Sequence, residues 1–329
     1  MVWADLSGTA LRVSARVNHS LTAVPDRADA SESAPTSGRI YLFGGDDGQS
    51  PRNDCWVYDV ARDEWEEPEL RGERPSPRAR HSMTLVRHFR AETQTEDERL
   101  YLYGGVGTHT EVVHYLDLAT RTWVTPTPVG EEVLPLLGHT AAAIGAELWV
   151  FGGRDARRSY NHVWKLDTTT HEWASFRGAH APTGMVPPPS SKHVMSVQGT
   201  KLLVVLGELP PEKVFLYETT SNAWLQAAVA NPQGAPELHR GAAAFIGEEL
   251  HVFGGLDVAA NNPTNTMHLL DTRVMEWHTA AAGGATPTER VGHAMCALGA
   301  CLFVFGGLET GGSHSASFGR YDAWALLWE

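Results

Sequence analysis

The chain has 329 residues, 42% of them hydrophobic, with 32 glycines, 11 tryptophans and a formal net charge of -13. That size and apolar content allow a sizeable core, and the Gly and Trp usage favours many short strands joined by tight turns over long helices. The acidic balance excludes nucleic acid and an anionic membrane surface as expected partners, since both need a basic footprint, and no apolar run approaches the roughly 20 residues of a membrane-spanning helix.

The first element expected is a short strand in MVWADL, around Trp3. No basic segment followed by an apolar one opens the chain, so no secretion signal is expected. Six related units then follow in chain order. The first Gly of a Gly-Gly pair marks each: Gly44 in YLFGGDD, Gly104 in YLYGGVG, Gly152 in WVFGGRD, Gly254 in HVFGGLD and Gly306 in FVFGGLE, with Leu206 (VVLGELP) in the fourth copy. An acid and a Trp follow each marker, always six residues apart: Asp59/Trp65, Asp117/Trp123, Asp167/Trp173, Glu218/Trp224, Asp271/Trp277 and Asp322/Trp328. A His precedes each marker at His19, His81, His139, His193 and His293, with Gly241 in the fifth copy. A period near 50 residues signals a repeat architecture.

Each unit reads as four strands. Strand a is of the HTAAAI type, strand b of the LWVFGG type, strand c of the HVWKLD type, and strand d opens at the Trp. The Gly pair ends strand b where a Cβ would obstruct the chain. The acid begins the c–d turn, where a short acceptor can bond nearby backbone N–H groups. One such sheet cannot bury both faces alone, whereas stacked units can. The Trp is the wedge between neighbours. Burying one removes roughly 150–250 Å² from water, worth about 4–6 kcal/mol as an upper limit.

Trp3 precedes His19 by 16 residues, the spacing of Trp65 to His81, Trp123 to His139 and Trp277 to His293. MVWADL is therefore expected as a strand d that joins the last unit. Trp328 competes for that slot, but only one residue follows it. Two a–b connections, PDRADASESAPTSG and RHFRAETQTEDER, are polar and read as surface loops. The three cysteines, Cys55, Cys296 and Cys301, are too few and uneven for a disulfide framework, and they point to a reducing, cytoplasmic setting.

The recurring FGG or YGG, the later Trp and the Tyr-type position (Tyr58, Leu116, Leu166, Tyr217, Leu270, Tyr321) resemble the kelch repeat. An Arg–His element of that family stands in SPRARHS and ERVGHA, and is degraded in LLGHT and LHRGA. The resemblance covers essentially the whole chain. It implies an all-β fold: a six-bladed kelch-type β-propeller in one domain, residues 1–329, its ring closed by the N-terminal strand. It also implies that the b–c and d–a loops share one face. Those loops carry Arg78, Arg80, Arg154, Arg157, Arg158, Tyr160, Lys192, His239, Arg240 and Arg290.

In kelch substrate receptors of ubiquitin ligases, arginines on this face bind acidic peptides or a C-terminal carboxylate, a task suited to the bidentate guanidinium. The function expected is a non-enzymatic adaptor or scaffold. Its partner is a protein or peptide with acidic groups or a free C-terminal carboxylate. Arg78 and Arg290 also match a repeat consensus and could instead bond a neighbouring blade. Asp46, Asp47, Asp155, Asp257 and Glu309 share these loops and could offset the charge. The alternative is a kelch-type enzyme (mutarotase, lyase or oxidase) with a site at the ring axis. Against it, no HExxH, CxxC or EF-hand pattern occurs, nor the Glu, Asp and His spacing of the iron-binding plant kelch proteins. No metal, cofactor or catalytic residue is expected.

Overall fold

A computed structural model describes residues 1–10, 12–26, 37–90, 95–107, 113–205, 207, 209, 212–281 and 283–323. Among these, strands and turns make up the chain, with three short 3-10 segments as the sole helical pieces. Two compact units are present. One comprises Glu69–Leu209 and Lys213–Ala227; the other comprises Met1–Pro68, Pro210–Glu212 and Ala228–Glu329.

Within the first unit, the third repeat shows how the sequence makes a sheet. Strands a (Thr140–Ile144), b (Glu147–Phe151), c (Val163–Asp167) and d (Glu172–Phe176) pair antiparallel in that order. Ala143, Leu148, Leu166 and Trp173 line up across all four. Strand b is buried from Leu148 to Phe151, so it reads as a continuous apolar run instead of an alternating one. Asp167 holds the c–d turn, its Oδ1 accepting the N–H groups of Thr169 (2.8 Å) and Thr170 (3.2 Å). The link arriving from the preceding repeat adds a two-residue parallel strand, Val129–Gly130, outside strand d. Arg71–Gly72 and Thr183–Gly184 do the same in the second and fourth repeats, which covers an edge that would otherwise be open.

The second repeat corrects one expectation. RHFRAETQTEDER is not a plain loop: Ser82–Arg90 and Thr95–Tyr103 pair as a long hairpin from Ser82↔Tyr103 to Arg90↔Thr95. Its polar residues stabilise it across the strands, as in the Arg87–Glu98 ion pair at 3.0 Å. Residues 91–94 lie outside the described residues, as do Leu206 and the middle of the first a–b connection, 27–36.

In the second unit, the first repeat forms a four-stranded sheet from Ser20–Pro25, Gly38–Phe43, Cys55–Asp59 and Glu64–Glu66. The sixth repeat contributes Ala294–Leu298, Cys301–Phe305 and Phe318–Asp322. Val2–Asp5 completes it as strand d, with Trp3 opposite Tyr321. That is the relation of Trp65 to Tyr58 and of Trp173 to Leu166. Trp328, the competitor for this position, lies outside the described residues.

The fifth repeat departs from the expected plan. Its b and c strands, Glu249–Asp257 and Asn262–Asp271, run on as one hairpin through a bulge between Phe253 and Gly255. They gather short strands at Leu238–His239, Arg290–Val291 and Leu308–Glu309 into a seven-stranded sheet. Among the described residues, five blade sheets of four or five strands stand beside one enlarged seven-stranded sheet and a two-stranded piece, Arg78–Ala79 with Val106–Gly107, so the expected six equal blades are corrected to five regular ones.

The Trp wedges are buried, from 1% exposure for Trp224 to 6% for Trp65. The Gly pair and the His are parts of one joint. Gly153 (φ +85) backs onto its own repeat's His139, where an added Cβ would lie 2.8 Å from the His139 Cβ. Gly152 (φ +64) is the seat of the next repeat's ring, its Cβ direction blocked by His193 Cε1 at 2.7 Å. Gly104 stands in the same way to His139, and Gly306 to His19. Two of the rings also bond the residue after the previous His: His139 Nε2 to Ser82 Oγ at 2.9 Å, and His193 Nε2 to Thr140 Oγ1 at 2.8 Å. Burial pushes the pKa of His139 down to about 4, and that of His193 to about 3.

Candidate functional site

The expected basic residues divide into two groups. Arg78 and Arg290 are buried, at 3% and 1% exposure, and this corrects their assignment to a partner-binding surface. Arg78 donates from Nε to Ser76 O (3.1 Å), from Nη1 to Gly104 O (3.1 Å) and from Nη2 to Ser76 Oγ (2.8 Å). Arg290 donates likewise to Thr288 O (2.9 Å), Gly306 O (2.8 Å) and Thr288 Oγ1 (2.8 Å), with Glu309 at 3.5 Å. These guanidiniums satisfy carbonyls that a strand end leaves unpaired, so they hold the fold.

A third member escaped the sequence reading. Arg16 is fully buried and bonds Ser14 O (3.0 Å), Gly44 O (2.9 Å) and Ser14 Oγ (2.8 Å), with both carboxylate oxygens of Asp54 at 2.8 and 2.7 Å. The signal was present as Ser/Thr-x-Arg-x-x-His: Ser14 to His19, Ser76 to His81 and Thr288 to His293.

The other cations sit on turns. In all six repeats, the residue before the His position has positive φ: Asn18, Arg80, Gly138, Lys192, Arg240 and Gly292, between +57° and +64°. Glycine takes this conformation without strain, whereas an ordinary side chain is held there at a cost of roughly 1–2 kcal/mol. Three of the six are nonetheless Arg or Lys.

Backbone bonds set these turns side by side within each unit. In Glu69–Leu209, Gly138 N donates to Arg80 O (3.3 Å) and Lys192 N to Gly138 O (2.9 Å). Gly138 has no side chain, so it leaves a gap between the two cationic turns. In the other unit, Gly292 N donates to Arg240 O (3.0 Å) and Asn18 N to Gly292 O (2.7 Å). Arg240 Nη2 also reaches Asn18 Oδ1 at 3.4 Å. His239 is half-buried on a short strand opposite Leu256.

The b–c loop of the third repeat joins the first of these groups. Arg154 and Leu137 exchange two backbone bonds of 3.0 Å, and Ser190 N donates to Tyr160 O at 3.0 Å. Asp155 organises the loop. Its Oδ1 accepts the N–H groups of Arg157 (2.7 Å) and Arg158 (2.8 Å), and its Oδ2 accepts the Tyr160 hydroxyl (2.7 Å). The Tyr160 hydroxyl and then these two amides hold the Asp155 pKa down at about 2. This carboxylate is thus spent on the loop itself, while the side chains of Arg157 and Arg158 stay exposed. Arg158 lies over the Tyr160 ring, 4.8 Å from its centroid. Arg80, Arg154, Arg157, Arg158, Tyr160 and Lys192 therefore share one region of one unit. Among the described residues, no group of three or more His, Cys, Asp and Glu is placed to hold a metal.

Repeated antiparallel sheets wedged by tryptophan, with cations on the joining loops, define an all-β protein of the β-propeller class. Residues 30–233 and 208–329 match the KLHDC2/KLHL20/DRC7 Kelch-repeats domain, and the chain belongs to this kelch-repeat family. Similar proteins include the serine/threonine-protein phosphatase BSL2 of Arabidopsis thaliana, 29% identical over 78% of this chain and 27% of that protein. The Rab9 effector protein with kelch motifs of Bos taurus is 28% identical over 57% of this chain and 53% of its own length. The acyl-CoA-binding domain-containing protein 4 of Arabidopsis thaliana is 26% identical over 80% and 40%. The chain therefore spans about a quarter to a half of these curated relatives. No helix among the described residues is long and apolar enough to cross a membrane.

Proposed function

We propose that residues 1–329 act as one six-repeat kelch propeller domain, a non-enzymatic adaptor or scaffold that holds an acidic segment of a partner protein. Arg80, Lys192, Arg154, Arg157 and Arg158 form the principal contact surface, while Tyr160, expected there too, is buried and braces Arg158 and Asp155 from beneath; His239 and Arg240 extend the same chemistry on their own unit. One observation carries the reading: Arg80 and Lys192 occupy a turn conformation that Gly138 and Gly292 adopt free of strain. Side chains kept at a cost, on an exposed turn, mark a function. A guanidinium fork beside an ammonium suits carboxylates, including a free C-terminus. A relative named as a Rab9 effector supports an interaction role. That Cys55, Cys296 and Cys301 are buried and not joined in a disulfide supports a cytoplasmic setting.

The test is fluorescence polarisation with a labelled Glu-rich hexapeptide, made with a free and with an amidated C-terminus. The combined change of Arg154, Arg157 and Arg158 to Ala is expected to weaken binding about tenfold. Affinity equal to that of the unaltered chain would reject this surface.

A further inference from the structure

A second feature of the Glu69–Leu209 unit serves none of the roles above. The link between the second and third repeats, Thr125 to Val133, pairs with strand d at Val129–Gly130 and borders a cavity of about 450 Å³. Its walls are Val113, Pro126, Pro128, Val129 and Val133, with Trp173 at its base. Trp173 is 2% exposed while Val129 is 51% exposed, so the groove runs from a packed indole out to an open apolar lip. A cavity of this size takes one or two large side chains.

The sequence keeps this groove open. Pro126 and Pro128 fix the link as extended chain, which cannot fold back into the space. Gly130 (φ +84) presses onto strand d, where an added Cβ would lie 2.5 Å from Trp173 O. The wall is therefore anchored at one end and stiff along its length. The corresponding link from the first to the second repeat reads Glu-Pro-Glu-Leu-Arg-Gly, charged where this one reads Thr-Pro-Thr-Pro-Val-Gly. The apolar character of this link is therefore not shared by the first link and is not a rule of the repeat.

The rim determines the occupant. Glu131 and Glu132 are both exposed at its edge. Glu131 is held by the Ser175 hydroxyl and by Arg177 Nη2 at 3.4 Å, while Glu132 makes no ion pair among the described residues. An apolar slot with a negative rim complements a bulky apolar side chain flanked by Lys or Arg. We infer that this groove is a docking site for a short basic segment of a partner protein, anchored by one large apolar residue between cationic neighbours. The inference does not depend on the acidic-segment reading, since it concerns other residues and the opposite charge.

The test uses the full chain and a fluorescein-labelled heptapeptide with a central Phe flanked by two lysines on each side. Saturable polarisation is expected. Binding should fall about tenfold when Phe is replaced by Ser in the peptide, and by a similar factor for Val129→Asp and for Glu132→Lys. Both protein changes are at exposed positions, so folding is not at stake. The inference is overturned by an absence of saturation, by equal affinity for the Ser peptide, or by full binding in both variants. Weakening by Glu132→Lys alone, with the Ser peptide bound as well as the Phe peptide, would show charge attraction without a slot and would overturn it too.

Discussion

Arg78 and Arg80 stand two residues apart on one turn. The first is buried with its donors on the carbonyls and hydroxyl of Ser76 and Gly104, and the second is exposed at φ +60°. The same contrast separates Arg290 and Arg16 from Arg157 and Arg158. The burial of the guanidinium, set by where its turn points it, decides whether an arginine serves the fold or is available to a partner. Residue type and spacing alone do not distinguish the two.

The largest effect that would break this contrast is at Arg16. Arg16→Ala leaves Asp54 without its bidentate partner, and about 3–5 kcal/mol of stability should be lost, read by urea denaturation. Next is Gly153→Ala. The residue has φ +85 and no room for a Cβ, so a loss of about 2 kcal/mol is expected, again from the denaturation midpoint.

The histidine joints add a pH dependence. His139, His193 and His293 have folded pKa values of about 4, 3 and 3, lowered chiefly by burial. The unfolded chain, titrating near 6.5, takes up protons first. Stability is therefore full above about pH 6.5 and declines as pH falls toward 4, by up to about 1.4 kcal/mol per pH unit for each such histidine. Denaturation from pH 7.5 to 5 should show this, with a smaller slope in His139→Gln. The smallest effect is expected at the exposed cation: Arg80→Gly removes left-handed strain and should leave stability unchanged or raise it by about 0.5 kcal/mol.

The elements that were legible in the sequence are those that recur because each has a fixed contact. Trp224, Gly152 and His193 are unmistakable, since indole wedge, ring seat and ring belong to one joint. Even the exceptions fall together: Leu206 replaces Gly in the fourth copy and Gly241 replaces His in the next. The second repeat's hairpin was hidden because its outer residues, such as Arg87 and Glu98, are polar and paired across the strands. The long fifth-repeat hairpin was hidden by Asn262 and Pro263, which read as loop. The buried role of Arg78 and Arg290 was open, because the same three-residue step to His fits both a structural and a binding arginine. The left-handed turn before the His was missed because Asn, Arg, Gly, Lys, Arg and Gly share no chemistry, only a backbone angle.

The most direct measurement pairs two readouts on two variants, Arg80→Ala and Arg78→Ala, each with its urea midpoint and its polarisation affinity for the Glu-rich hexapeptide. Arg80→Ala is expected to keep the midpoint and to weaken the peptide several-fold, while Arg78→Ala lowers the midpoint by an amount that corresponds to more than about 2 kcal/mol of unfolding free energy. An Arg80→Ala chain that binds the peptide as tightly as the unaltered one, or an Arg78→Ala chain of unchanged stability, would contradict this expectation.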